Sequence, residues 1–238
     1  MRRPHPSAPL TDMSRRLAEV RGCRLCEASL PLGPKPILQY HPKARILIAG
    51  QAPGRRAHDS GIPFSDASGE RLRGWLGVDR ETFYDPKRIA ILPMGFCYPG
   101  RGRAGDLPPR PECAEAWRKR LLSGLKQVRL TLVIGRYAVD WHLPDAVGRP
   151  LTEVIAGWER YWPKVLPMPH PSPRNQRWLR NNPWFEESVL PRLRKTIREL
   201  TDTSADSGGT AGGAPPPAAA PAPTCAASPR RSRTCPAG

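Results

Sequence analysis

Residues 45–54 read Arg-Ile-Leu-Ile-Ala-Gly-Gln-Ala-Pro-Gly, an apolar run that stops at one glycine and turns through a proline and a second glycine. An unalternating run of this length suits a strand covered on both faces, as in a parallel sheet. Three more such runs follow at 89–92, at Leu130–Ile134, which ends in Gly135, and at Val165–Met168, which closes before Pro169. Helical spacing fills the intervals at 70–76, 113–128 and 136–143, with a short opening helix at 14–20 and an amphipathic closing helix at 184–200. Strands alternating with helices predict an α/β fold: a three-layer α/β/α sandwich around a central, mostly parallel four-stranded sheet. In such a sheet, ligands are expected beyond the carboxyl ends of the strands.

The chain has 238 residues, enough for one such domain and an appendage. Residues 201–238 hold 7 Pro, 10 Ala and 5 Gly among 38 positions, a composition that cannot build a packed core, and are predicted to form a disordered tail behind a domain at 1–200. Lys and Arg number 38 against 21 Asp and Glu, a net charge of +17, and residues 1–200 retain +16 of it. The folded part is therefore the basic part, and clustered cations favour a polyanionic partner, nucleic acid above all. No apolar run approaches the roughly 18 residues of a membrane span, and residues 1–12 lack the apolar segment of a signal peptide. A cytoplasmic protein that acts as a monomer, away from membranes, is expected.

Two strand ends carry unusual chemistry. After the first strand, Gly50-Gln51-Ala52-Pro53-Gly54 makes a tight turn whose backbone N–H groups can approach a ligand, and the chain continues through Arg55, Arg56, His58 and Asp59 to Gly61-Ile62-Pro63-Phe64. The turn is neither a P-loop nor a GxGxxG element. After the last strand, His170-Pro171-Ser172-Pro173-Arg174-Asn175 combines a titratable ring with phosphate-type donors. Cysteines occur as C-x2-C at Cys23 and Cys26, then at Cys97 and Cys113, with Cys225 and Cys235 set apart in the tail. Four thiolates are a ligand set for tetrahedral zinc or for an iron–sulfur cluster, and the spacing does not separate the two.

Across about residues 20–198 the chain resembles the uracil-DNA glycosylase superfamily. The resemblance rests on Gly50–Gly54, on His170–Asn175, whose HPSPRN run is similar to that of the single-strand-selective branch, and on Phe64 between them. The four cysteines are similar to those of the thermophile-type, iron–sulfur branch, which implies a [4Fe–4S] cluster on Cys23, Cys26, Cys97 and Cys113, with zinc as the alternative. The resemblance further implies hydrolysis of the N-glycosidic bond of uracil in DNA after the base is flipped from the stack. It gives His170 the role of stabilising the departing base and Phe64 that of stacking on it. Gly50, Gln51, Ala52, Pro53 and Gly54 would hold the base edge, and Ser172, Arg174 and Asn175 the DNA backbone. The chain departs from the family where the iron–sulfur branch usually has Glu (here Gln51), where the classical branch has a water-activating Asp (here Ala52), and where an Asn commonly reads the base (here Pro93). His58 and Asp59 are the candidates for positioning water, with Asp66 a third. The alternative function is a catalytically altered relative that binds damaged or abasic DNA, or excises another deaminated base.

Overall fold

The computed structural model describes residues 12–103 and 105–202. Four strands form one parallel sheet: β1 (Ile46–Ala49), β2 (Ile89–Ile91), β3 (Leu130–Ile134) and β4 (Val165–Met168), in the order β2-β1-β3-β4. Ile46 stands opposite both Ile89 and Leu130, and Thr131 opposite Val165. Pro167 faces Val133 on the outermost strand, where its missing N–H costs no ladder bond on the free side.

The period of two sorts the strand side chains. Ile46 and Ile48 go to one face, where they pack with Leu72, Trp75, Phe83, Leu193 and Ile197; Leu47 and Ala49 go to the other, where the neighbours are Val20, Leu121, Ala138 and Val139. The first cover is built from α3 (Ala67–Leu76), α4 (Arg80–Tyr84) and α10 (Leu190–Thr201). The second is built from α1 (Asp12–Arg21), from α5 (Pro111–Cys113), which runs through a π-helical turn (Ala114–Arg118) into α6 (Lys119–Leu122), and from α7 (Arg136–His142). Three layers result, as expected, and the sheet is parallel throughout.

The differences from the sequence reading are short helices and helix ends. α2 (Arg55–Ser60), α4, α8 (Leu151–Ala156) and α9 (Gln176–Asn181) lie in stretches to which the sequence pattern assigns no helix. In α2 only Ala57 is buried, so no apolar stripe announces it. The helix expected at 113–128 begins at Pro111 and stops at Leu122. There the Tyr40 hydroxyl donates to the Leu121 carbonyl at 2.9 Å, and a Cβ on Gly124 would come within 2.2 Å of that hydroxyl. Thr201, assigned to the tail, is instead the buried last residue of α10. The tail from residue 203 onward, with Cys225 and Cys235, lies outside the described residues.

Candidate active site

The turns after β1 and β4 converge on a cleft of about 650 Å³, within the range typical of ligand sites. Gly50, Gln51, Ala52, Pro53, Gly54, Phe64, His170, Ser172, Arg174 and Asn175 all line it. The Gly50 and Gln51 carbonyls accept from the N–H groups of Met94 (2.8 Å) and Gly95 (3.0 Å), which fixes the turn against the segment that follows β2. Gln51 Nε2 donates to the Leu107 carbonyl at 2.9 Å and ties the same turn to the loop 100–107.

Phe64 is the one non-glycine residue among those described with positive φ, at 54°. A side chain in this left-handed region costs roughly 1–2 kcal/mol and persists only where its surroundings impose it. Two groups impose it here. Tyr84 Oη approaches the carbonyls of Pro63 (2.9 Å) and Phe64 (3.1 Å) as their donor, and α3 passes so near that a Cβ on Gly69 would fall 1.8 Å from the Phe64 oxygen. Burial pushes the Tyr84 phenol up, which keeps it a donor. The Phe64 ring is thereby laid against the first turn, its Cζ 3.7 Å from where a Gly50 Cβ would stand.

His170 is held by its own loop. The Ser172 N–H donates to Nδ1 at 3.2 Å, Asn175 Nδ2 donates to the His170 carbonyl at 2.8 Å, and Arg71 donates to the Ser172 carbonyl at 3.0 Å. Because Nδ1 accepts, the ring proton belongs on Nε2. Burial lowers the His170 pKa against the opposing pull of Asp66 and Asp106, so the ring is neutral at neutral pH. Asn175 and the Ser172 hydroxyl, which accepts from the Arg174 N–H at 3.2 Å, serve the shape of this turn. Arg56, Arg101 and Arg174 line the cleft as cations suited to phosphate.

His58 and Asp59 are not among the lining residues. Asp59 pairs with Arg55 one turn away on α2 (2.9 Å), and the His58 ring sits 6.1 Å from that of Tyr98, its Nδ1 buried without a partner. The carboxylates in the cleft are Asp66 and Asp106. Asp66 caps α3, accepting from the Gly69 N–H at 3.1 Å. Asp106 was not singled out by the sequence, since it belongs to no motif and only the fold carries its loop back over the first turn.

Behind the wall at Pro93 lies fully buried Arg118, also missed, on the π-helical turn. It donates to the carbonyls of Leu92 (2.8 Å) and Pro93 (2.9 Å) and meets His142 Nε2 at 2.7 Å. Burial, reinforced by the guanidinium, pushes His142 down to about 3.

The four cysteines line one small cavity together with Phe96, Arg110 and Trp117. All four are free thiols. Two sulfurs accept N–H bonds, Cys23 from Trp117 Nε1 (3.2 Å) and Cys113 from the Phe96 N–H (3.3 Å), while the Arg110 side chain and the Lys35 backbone act to lower the pKa of Cys26 and Cys97 against the larger effect of burial. Burial pushes Cys97 up to about 11 and Cys113 up to about 12. Among the described residues no group of three or more His, Cys, Asp or Glu is arranged to hold a metal ion. Four free sulfurs on one cavity, Cys113 buried and the other three half-buried, nevertheless fit a shared group that takes thiolates.

The chain is similar to known proteins. The solution NMR structure of a candidate uracil DNA glycosylase from Methanosarcina acetivorans matches with a TM-score of 0.43 at 16% identity, over 69% of this chain and 96% of that one. The sequence model of the uracil DNA glycosylase superfamily matches residues 38–194, a stretch that contains both cleft-forming turns, Phe64, Cys97 and Cys113. Spanning about two thirds of the sequence, that match shows that this chain belongs to the uracil DNA glycosylase superfamily.

Proposed function

We propose that the cleft hydrolyses the N-glycosidic bond of uracil, or of another deaminated base, in DNA. The observation that carries this reading is a neutral His170 whose Nδ1 is already bound, which leaves Nε2–H as the free ring donor in the cleft where Phe64 is held against the first turn. When the C1′–N bond breaks, the electron pair passes to the base and negative charge grows on its carbonyl oxygens. A fixed donor aimed at that charge is worth about 3–4 kcal/mol by analogy with oxyanion holes. A neutral ring suits this task, because it needs no proton transfer to stabilise the anion. The base reaches the cleft by flipping, at a cost of a few kcal/mol, partly offset by stacking on Phe64. Arg56, Arg101 and Arg174 would hold the phosphates around it.

We further propose that Cys23, Cys26, Cys97 and Cys113 hold a [4Fe–4S] cluster. When bound, such a cluster would cross-link the N-terminal loop to the start of α5 and supply a one-electron redox centre. Support comes from the four sulfurs lining one cavity, two of them with N–H donors that stabilise thiolate charge. The test of the main reading is release of free base from single- and double-stranded oligonucleotides carrying uracil, hypoxanthine or xanthine. Absence of free base from every substrate, with tight binding to abasic DNA, would establish the catalytically altered relative instead.

A further inference from the structure

The proposed reaction needs a water molecule and an anionic group near the positive sugar, yet the first turn offers Gln51 and Ala52, neither of them acidic. Among the described residues, only Asp66 and Asp106 bring a carboxylate to the cleft. Asp66 is engaged as the cap of α3. Asp106 makes no hydrogen bond or ion pair with the described residues, and its Oδ2 lies 3.4 Å from where a Cβ on Gly54 would stand, so the carboxylate rests directly on the first turn.

The loop that carries it is clamped from several sides. Arg101 and Asp106 form an antiparallel bridge, with Gly102 N–H donating to Gly105 (2.7 Å) and Leu107 N–H donating to Gly100 (2.9 Å). Gln51 holds the Leu107 carbonyl, and a Cβ on Gly105 would stand 3.2 Å from Arg174 Nη1. The carboxylate is thus placed by backbone bonds while its oxygens stay available. It also lies near enough to act electrostatically on His170 across the cleft.

We infer that Asp106 is the catalytic carboxylate that positions and deprotonates the attacking water, supplying from the loop 100–107 the acid that the first turn lacks. This rests on the glycosylase reading of the cleft. In the step, the water oxygen bonds to C1′ as the C1′–N bond breaks and its electron pair leaves with the base. The water proton passes to Asp106, which returns it to the departed base or to solvent. Gln51 acts as a positioning residue, fixing the loop through Leu107.

The experiment compares single-turnover base release by the full-length wild-type protein, Asp106→Asn, Asp106→Ala and Asp66→Asn, with binding to abasic-site DNA measured in parallel. General-base assistance contributes typically 10²–10⁴-fold, so Asp106→Asn is expected to lose rate on that scale while abasic DNA binds within threefold of wild type. Added formate should restore part of the Asp106→Ala rate, which a loop-shaping role would not produce. A loss smaller than tenfold in Asp106→Asn, or a large loss confined to Asp66→Asn, overturns the inference. If the wild-type protein releases no base at all, the glycosylase reading falls and this inference falls with it; if wild type and Asp106→Asn cut alike, only the role of Asp106 falls.

Discussion

The left-handed Phe64 invites a perturbation whose size follows from the structure. Tyr84→Phe removes one hydroxyl placed 2.9 and 3.1 Å from two partly buried carbonyls. The hydroxyl's single proton is shared between the two carbonyls, and leaving these part-buried acceptors without it costs about 2 kcal/mol, within the range of about 1–3 kcal/mol for an unsatisfied buried group. Freed of the tyrosine, Phe64 can relax out of the αL region and recover part of its strain of roughly 1–2 kcal/mol. The net fall in unfolding free energy should therefore be about 1 kcal/mol, measured by urea titration. A relaxed Phe64 leaves its place against Gly50, and stacking on a base is worth about 1–3 kcal/mol. Base release at limiting enzyme should then drop about tenfold, since 1.4 kcal/mol is one decade. A paired control isolates the strain: Phe64→Gly adopts φ 54° freely whereas Phe64→Ala does not, so the glycine variant should be the more stable by about 0.5–1 kcal/mol, although both lose stacking. If the glycine variant is instead the less stable, or Tyr84→Phe changes neither stability nor base release, the imposed-strain argument is refuted.

Acid should weaken the fold through His142, whose folded pKa of about 3 lies below the unfolded value near 6.5. Its contribution is fully present above pH 6.5 and is lost as pH falls toward 3, because only the unfolded chain takes up the proton; the loss is on the order of several kcal/mol, and His142→Asn should flatten urea-denaturation stability between pH 7.5 and 4.5. The salt dependence of DNA binding tests the cleft arginines that form no ion pair across α2: replacing Arg56, Arg101 or Arg174 by Ala should each reduce the slope of log K against log salt by about one, and an unchanged slope places that residue off the phosphates. Cys97→Ser or Cys113→Ser should abolish bound iron and the visible charge-transfer absorption of the purified protein; wild-type protein that carries zinc instead would decide for the alternative metal.

All four strands were legible in the sequence because each is an apolar run buried on both faces, a pattern that needs no tertiary context. Both turns were legible for a related reason: glycine and proline fix local geometry, and His170 stands out within it. Asp106 and Arg118 were not legible. The first depends on a loop folding back over Gly54, the second on a π turn that points a guanidinium at the Leu92 and Pro93 carbonyls, and neither event leaves a local signal. The same limit applies to His58 and Asp59: adjacency in sequence to the first turn does not reveal that residues 55–60 form α2 and carry both side chains outside the cleft lining.

The central claim is that His170, neutral and donating from Nε2, stabilises a departing base. Its most direct test is the single-turnover rate of uracil release by wild type and His170→Ala across pH 5.5–8.5. The account predicts release by wild type that holds through pH 6.5, because burial lowers the His170 pKa, and a fall of about 10²–10³-fold in the variant. Equal rates for the two proteins would contradict it.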